Sequence, residues 1–263
     1  MTLSTLRTRT AETLLPFLVG GILWEGGCRF FDVSPQILPP PSLIAAQAVE
    51  LWAKGALRQH ILASLFRLLL GYVLAVTAGI ILGALIALKS DIRRMSSLTL
   101  SLLISIPTIT WVPVLLITMG LGDRTVITAV FLGGLFEMIY STALGVENVN
   151  RRIVDAARIM GAKRTDLFFR VMLPASLSFV IPALRLCIGY CWRALIGAEI
   201  LSAMIRWGLG KMIFEARFWN DVTVMFIGLL SIGLLAVLFD RVFLRRLERI
   251  TIEKWGIAAR IDA

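Results

Sequence analysis

Few side chains in this 263-residue chain could do chemistry, and several of them lie inside apolar runs. Glu137, Arg185, Arg193 and Glu199 stand in segments that are otherwise almost uncharged. An ionisable group at the centre of a bilayer costs roughly 2.5–3.5 kcal/mol on insertion scales and is kept where it meets protein interior or water. Such groups suit binding, gating or ion passage rather than bond-making. At about 100° and 1.5 Å per residue, Arg185 and Glu199 share one helical face but stand roughly 21 Å apart along it. Each therefore needs a partner on another segment, or a polar cavity. For Glu137 two readings stay open: a pathway or interhelical role, and a protonated carboxyl that only packs.

Nothing in the sequence assembles a catalytic set. The single histidine, His60, reads as a surface or interfacial residue with no base, nucleophile or metal partner near it. Cys187 and Cys191 are four apart on one helical face, but a metal site needs more ligands, so they read as small packing residues. Cys28 lies far from both, which leaves no disulfide framework. The run Gly83 to Ser90, GALIALKS, superficially suggests a phosphate-cradling loop. That loop requires a glycine directly before the lysine, and Leu88 occupies the place. By this reading the chain holds no ATP site of its own.

The elements that must position these residues are membrane helices. Hydrophobic residues make up 58% of the chain and charged ones 17%, with a mean hydropathy of +0.84. Soluble domains average about 45–50% apolar and about 25% charged. An all-α polytopic protein follows, with six spans expected near residues 14–31, 64–88, 98–119, 126–146, 177–204 and 222–239. The first apolar run leads into Leu38-Pro39-Pro40-Pro41 with no small-residue cleavage pattern, so it reads as an uncleaved span. After the prolines, Ser42 is expected to cap an amphipathic helix from Leu43 to Ala53.

Two spans carry further signals. Ala75, Gly79, Gly83 and Ala87 form a small-residue stripe at intervals of four, which would let another backbone approach closely. Pro107 and Pro113 bracket Trp111 in the third span. Prolines there free backbone carbonyls, which is tolerated against neighbouring protein or a cavity; pathway lining and a packing kink both fit. Gly120 to Arg124 reads as a tight external turn. Residues 206–221 read as a second external segment whose Trp207, Phe218 and Trp219 suit a bilayer interface.

The net charge of +10 could signal nucleic acid or a membrane. Placement decides. With the N-terminus inside, seventeen Lys and Arg fall in inner segments and seven in outer ones, with Arg67, Arg185 and Arg193 inside spans. That asymmetry obeys the positive-inside rule and accounts for the charge without nucleic acid. The chain then divides into a cytoplasmic N-terminus and first span (1–31), an external segment (32–62), a core of five further spans (63–244) and a cytoplasmic tail (245–263).

The longest polar stretch within that core is residues 151–174, RRIVDAARIMGAKRTDLFFRVMLP. It reads as two short helical pieces, Ile153 to Met160 and Thr165 to Met172, broken at Gly161. Pro174 is expected to end the second piece and turn the chain.

This stretch resembles the EAA loop of ABC importer permeases, usually E-A-A-x3-G-x9-I-x-L-P. Asp155-Ala156-Ala157, Gly161 and Val171-Met172-Leu173-Pro174 match its spacing, with Asp in place of the first Glu. Leu38-Pro39-Pro40-Pro41, Ile106-Pro107 with Trp111-Val112-Pro113, Ala198-Glu199 and Gly208-Leu209-Gly210 resemble one subfamily, the membrane subunits of nitrate, taurine, aliphatic-sulfonate and thiamine-precursor importers. Glu137 and Arg193 depart from it: relatives commonly carry an apolar residue or Pro at the first position and a small or polar residue at the second.

The resemblance implies a type I permease fold in a bacterial inner membrane, working as a homodimer with two cytoplasmic ATPase subunits and a periplasmic binding protein. ATP and magnesium would belong to the ATPases. Asp155, Ala156, Ala157, Gly161, Leu173 and Pro174 would form the ATPase-coupling stretch. Glu137, Arg185, Arg193, Glu199, Trp111 and Pro107 would be the pathway or gate candidates. The two arginines suggest an anionic cargo. A proton- or ion-coupled carrier using Glu137 and Glu199 is the alternative; such carriers often show an internal repeat, and none is evident here.

Overall fold

A computed structural model describes residues 3–88, 90–202 and 204–244. The tail expected at 245–263 lies outside the described residues, as does Lys89. Among the described residues the fold is helical throughout, with no strand. Helix α1 runs Leu3–Phe30, α2 Pro41–Ala53, α3 Ala56–Ala87, α4 Ser90–Ser105, α5 Val112–Met119 and α6 Asp123–Glu147. Then come α7 Arg151–Ile159, α8 Arg164–Asp166, α9 Leu173–Leu201, α10 Leu209–Phe218 and α11 Val222–Phe239.

Four helical stretches among the described residues are long and apolar enough to cross a membrane: α3, α6, Leu167–Leu201 and Val222–Val242. Arg94–Ser105 and Thr108–Met119 make a fifth only as a pair, because they meet at 89°. The expected third span is thus broken rather than kinked. Pro107 is the reason: it lacks an N–H and sterically excludes α geometry from Ile106. The chain re-enters helix through a 3-10 turn, Thr108–Trp111, and Pro113 sits harmlessly in the first turn of α5. The expected first span falls within α1, which is not among those four stretches.

The core is the three-way contact of α3, α6 and α9, with Leu68, Ala75, Val130, Met138, Cys187, Cys191 and Leu195 buried in it. Small residues set the spacing. A Cβ on Gly79 would overlap that of Met138, and one on Gly83 would come within 2.5 Å of the Ile139 carbonyl oxygen. The stripe on α3 is therefore a backbone-to-backbone seam with α6. On the other face of α6, a Cβ on Gly134 would lie 2.5 Å from the Cys187 sulfur and 2.9 Å from that of Cys191. The two cysteines are free, buried packing residues at the point where all three helices meet.

Two local expectations change. Helix α2 begins at Pro41 with no side-chain cap from Ser42. Instead Ser42 donates its backbone N–H (3.0 Å) and its hydroxyl (2.8 Å) to the Glu25 carboxylate of α1, which fixes that corner. Pro174 does not turn the chain. Residues Leu167–Met172 form π-helical turns, and Pro174 sits in the first turn of α9. The widened turns absorb the missing N–H, so the helix continues without a break from Leu167 to Leu201.

Overpacking the seam tests its role. Gly79→Leu should destabilise the protein by about 1–3 kcal/mol or more. A lowered thermal unfolding midpoint in detergent checks this against Gly189→Ala, where a Cβ meets nothing within 4 Å and the midpoint should hold.

Candidate functional site

The break in the third span creates a cavity. The 3-10 turn wedges against α6 and α9: Gly197 is small where Ile109 lies, and Gly133 where Ala194 and Thr108 approach. Above this wedge a cavity of about 330 Å³ opens, lined by Pro107, Trp111, Phe136, Glu137, Tyr190 and Arg193 together with aliphatic side chains of α4 and α6. That volume falls at the lower end of the range for small-molecule sites. Four of the six pathway candidates thus converge.

Charge in the cavity is not neutralised by ion pairs. Glu137 accepts one hydrogen bond, from the Ser141 hydroxyl at 2.9 Å. Arg193 lies over the Tyr190 ring, 5.6 Å from its centroid. Among the described residues neither charge is in an ion pair. The Trp111 indole N–H is buried, with no hydrogen-bond partner among the described residues.

Arg185 and Glu199 go elsewhere. Arg185 donates to Asp240 at 2.7 Å, tying α9 to the end of α11 at a half-exposed position. Glu199 is buried at 1% exposure. It accepts from Arg67 Nη1 (2.7 Å), from the Ser64 hydroxyl (2.8 and 2.9 Å) and from the Gly210 N–H (2.9 Å). Arg67 also donates to the Trp207 carbonyl (2.7 Å) and to Asp123 (2.8 Å). Gly208 must lack a side chain because the Glu199 carboxylate fills the space a Cβ would need, and at Gly210 the Ile196 carbonyl oxygen and the Glu199 Cβ fill it. Glu199 is a structural clasp joining α3, α9 and the start of α10, not a lining residue of the cavity.

His60 belongs to the same clasp. It is buried rather than interfacial, with Nδ1 2.7 Å from the Gly208 carbonyl and 3.1 Å from its nitrogen, and it meets Trp207 edge-on at 5.0 Å. Sequence reasoning missed this set, though a signal existed. His60, Ser64 and Arg67 lie at i, i+4 and i+7, which is one helical face.

The 151–174 stretch stands apart. Asn150 caps α7, its side chain accepting from the Arg152 N–H at 3.0 Å. Asp155 therefore lies beyond the first turn, and it pairs with Arg158 at 3.3 Å. Gly161 has φ of +82°, and Gly161 and Ala162 return hydrogen bonds to Arg158 and Ala157. This Schellman closure needs a left-handed residue, which explains the glycine. Around it Ile159 and Met160 are each 87% exposed, and a Cβ on Gly161 would meet nothing within 4 Å. Leu173 and Pro174 start α9.

Residues 54–249 match the family model described as "binding-protein-dependent transport system inner membrane component". The chain belongs to this family. Its members are transport components rather than enzymes, and this chain is the membrane permease of an ATP-binding-cassette importer. A probable ABC transporter permease protein of Brucella melitensis biotype 1 is 32% identical over 90% of this chain and 95% of its own length. The taurine transport permease TauC of Escherichia coli strain K12 is 29% identical, over 82% of this chain and 80% of its own length. The permease fold also resembles that in an inward-facing structure of the MetNI methionine ABC transporter. The TM-score is 0.59 at 17% identity, covering 73% of this chain and 95% of the other.

Removing one partner of the clasp leaves a buried charge behind. Arg67→Leu should cost about 3–5 kcal/mol for that reason. Asp123→Asn, at the exposed end, should cost no more than about 1 kcal/mol. Thermal unfolding of the two variants in detergent separates them.

Proposed function

We propose that this permease crosses the inner membrane six times, with both ends cytoplasmic, and works as a homodimer with two ATPase subunits and a periplasmic binding protein. Residues 151–174 are the ATPase-coupling stretch. The observation that supports this reading is the bare face around Gly161. Ile159 and Met160 project from a basic stretch with almost nothing of this chain against them, and exposed apolar groups of that kind mark an interaction surface. Ala156 and Gly161 are small beside them, so another protein can approach to the backbone. ATP closure of the partner subunits would move this stretch and switch the spans between two packings.

The pathway runs past the cavity of Pro107, Trp111, Glu137 and Arg193, and the cargo is a small polar solute. The taurine permease among the relatives is consistent with cargo of that size and polarity.

Asp tolerates the left-handed conformation that Gly161 adopts better than most residues do. Gly161→Asp should therefore insert normally while transport and stimulated ATP hydrolysis fall to background. Normal uptake by that variant would remove the docking role. In the pathway, Arg193→Ala should lower uptake by about tenfold or more, a loss of at least roughly 1.4 kcal/mol of interaction. Reconstituted uptake beside an immunoblot for inserted protein measures both.

A further inference from the structure

From the pairing pattern inside the membrane helices we infer that the cavity takes a small zwitterion, a solute carrying a cationic and an anionic group, rather than a simple anion. This rests on the pathway reading above.

Two kinds of intramembrane charge occur in this chain. Arg67, Glu199, Arg185 and Asp240 find partners at 2.7 Å. Glu137 and Arg193 share one cavity, and among the described residues neither has an ion-pair partner. A chain that closes those ion pairs leaves these two open in the lining of one cavity. Charges kept inside a membrane ordinarily pair or face a polar cavity. With Arg185 committed to Asp240, a cluster of arginines for an anion is not what the helices present. They present one cation and one anion.

The rest of the lining divides accordingly. Arg193 is held over Tyr190, which leaves its N–H groups to donate to a carboxylate or sulfonate. Glu137, with a single donor from Ser141, retains acceptor sites for an ammonium group. Between them the walls are aliphatic and aromatic, suiting a short apolar body. A cavity of about 330 Å³ has room for a body of that kind.

The test is direct binding to the full chain in lipid nanodiscs, by calorimetry, with matched pairs of probes. Taurine, β-alanine and γ-aminobutyrate are zwitterions; ethanesulfonate, propionate and butyrate lack only the amine. At least one zwitterion should bind about tenfold or more tighter than its matched anion, the scale of one charge-assisted contact. Glu137→Gln should erase that ratio by weakening the zwitterion alone, and Arg193→Gln should weaken both. Equal or tighter binding of the anions, no binding of any zwitterion, or an unchanged ratio in Glu137→Gln would overturn the inference. ATP-dependent uptake of the same six probes through the complete importer distinguishes the two levels. If both variants transport normally, the pathway reading falls as well; if uptake falls while the anions bind as tightly as the zwitterions, only the zwitterion is lost.

Discussion

In a bilayer, lipid tails are as apolar as leucine, so helices are not driven together by escape from water. Contact must do it instead. In this permease that constraint is met where α6 runs between α3 and α9, with glycines at the points of closest approach. Gly79 and Gly83 admit α6 on one side, and Gly134 admits the sulfurs of Cys187 and Cys191 on the other. The broken third span is hung on this three-helix contact. Gly133 and Gly197 extend the same device to the broken span, letting the turn at Thr108–Trp111 sit against α6 and α9. The cavity exists because that turn is held there and not continued as helix.

The polar groups follow a second rule, that a buried charge must be compensated. The clasp of Glu199, Arg67, Ser64 and the backbone of Gly208 to Gly210 satisfies it with side chains from α3 and α9 and two glycines that leave room for Glu199. Its cost in desolvation is offset by complete hydrogen bonding, and it ties the loop before α10 to the end of α9. Glu137 and Arg193 depart from the rule in the lining of a cavity, where a solute could restore it.

Much of this was legible in the sequence because membrane helices are written in long apolar runs and small-residue stripes. The helix ending at Phe239, the seam of Gly79 and Gly83 and the left-handed Gly161 were all readable. The partners of Arg185 and Glu199 were not, since a single helix face shows only that they cannot pair with each other. Which distant residue answers each depends on how α3 and α11 pack, and spacing within one helix carries no such information. His60 was misread for the same reason: its neighbours come from residues 207–208, far along the chain. Pro174 was misread differently. A proline signals that one hydrogen bond must be lost, but not whether the chain turns or widens its helix by a residue.

That widened helix has a mechanical consequence. Leu167–Leu201 is an uninterrupted rod of 35 residues, about 50 Å at the usual rise. One end adjoins the Gly161 turn; the other carries Glu199, pinned by Arg67. Treated as stiff and hinged at that pin, the rod carries Arg193 about 9 Å from the fulcrum and Leu167 about 48 Å from it. A displacement at the Leu167 end is thereby geared down roughly fivefold at the cavity. On that geometry, several ångströms of travel at Leu167 would become about one ångström at Arg193.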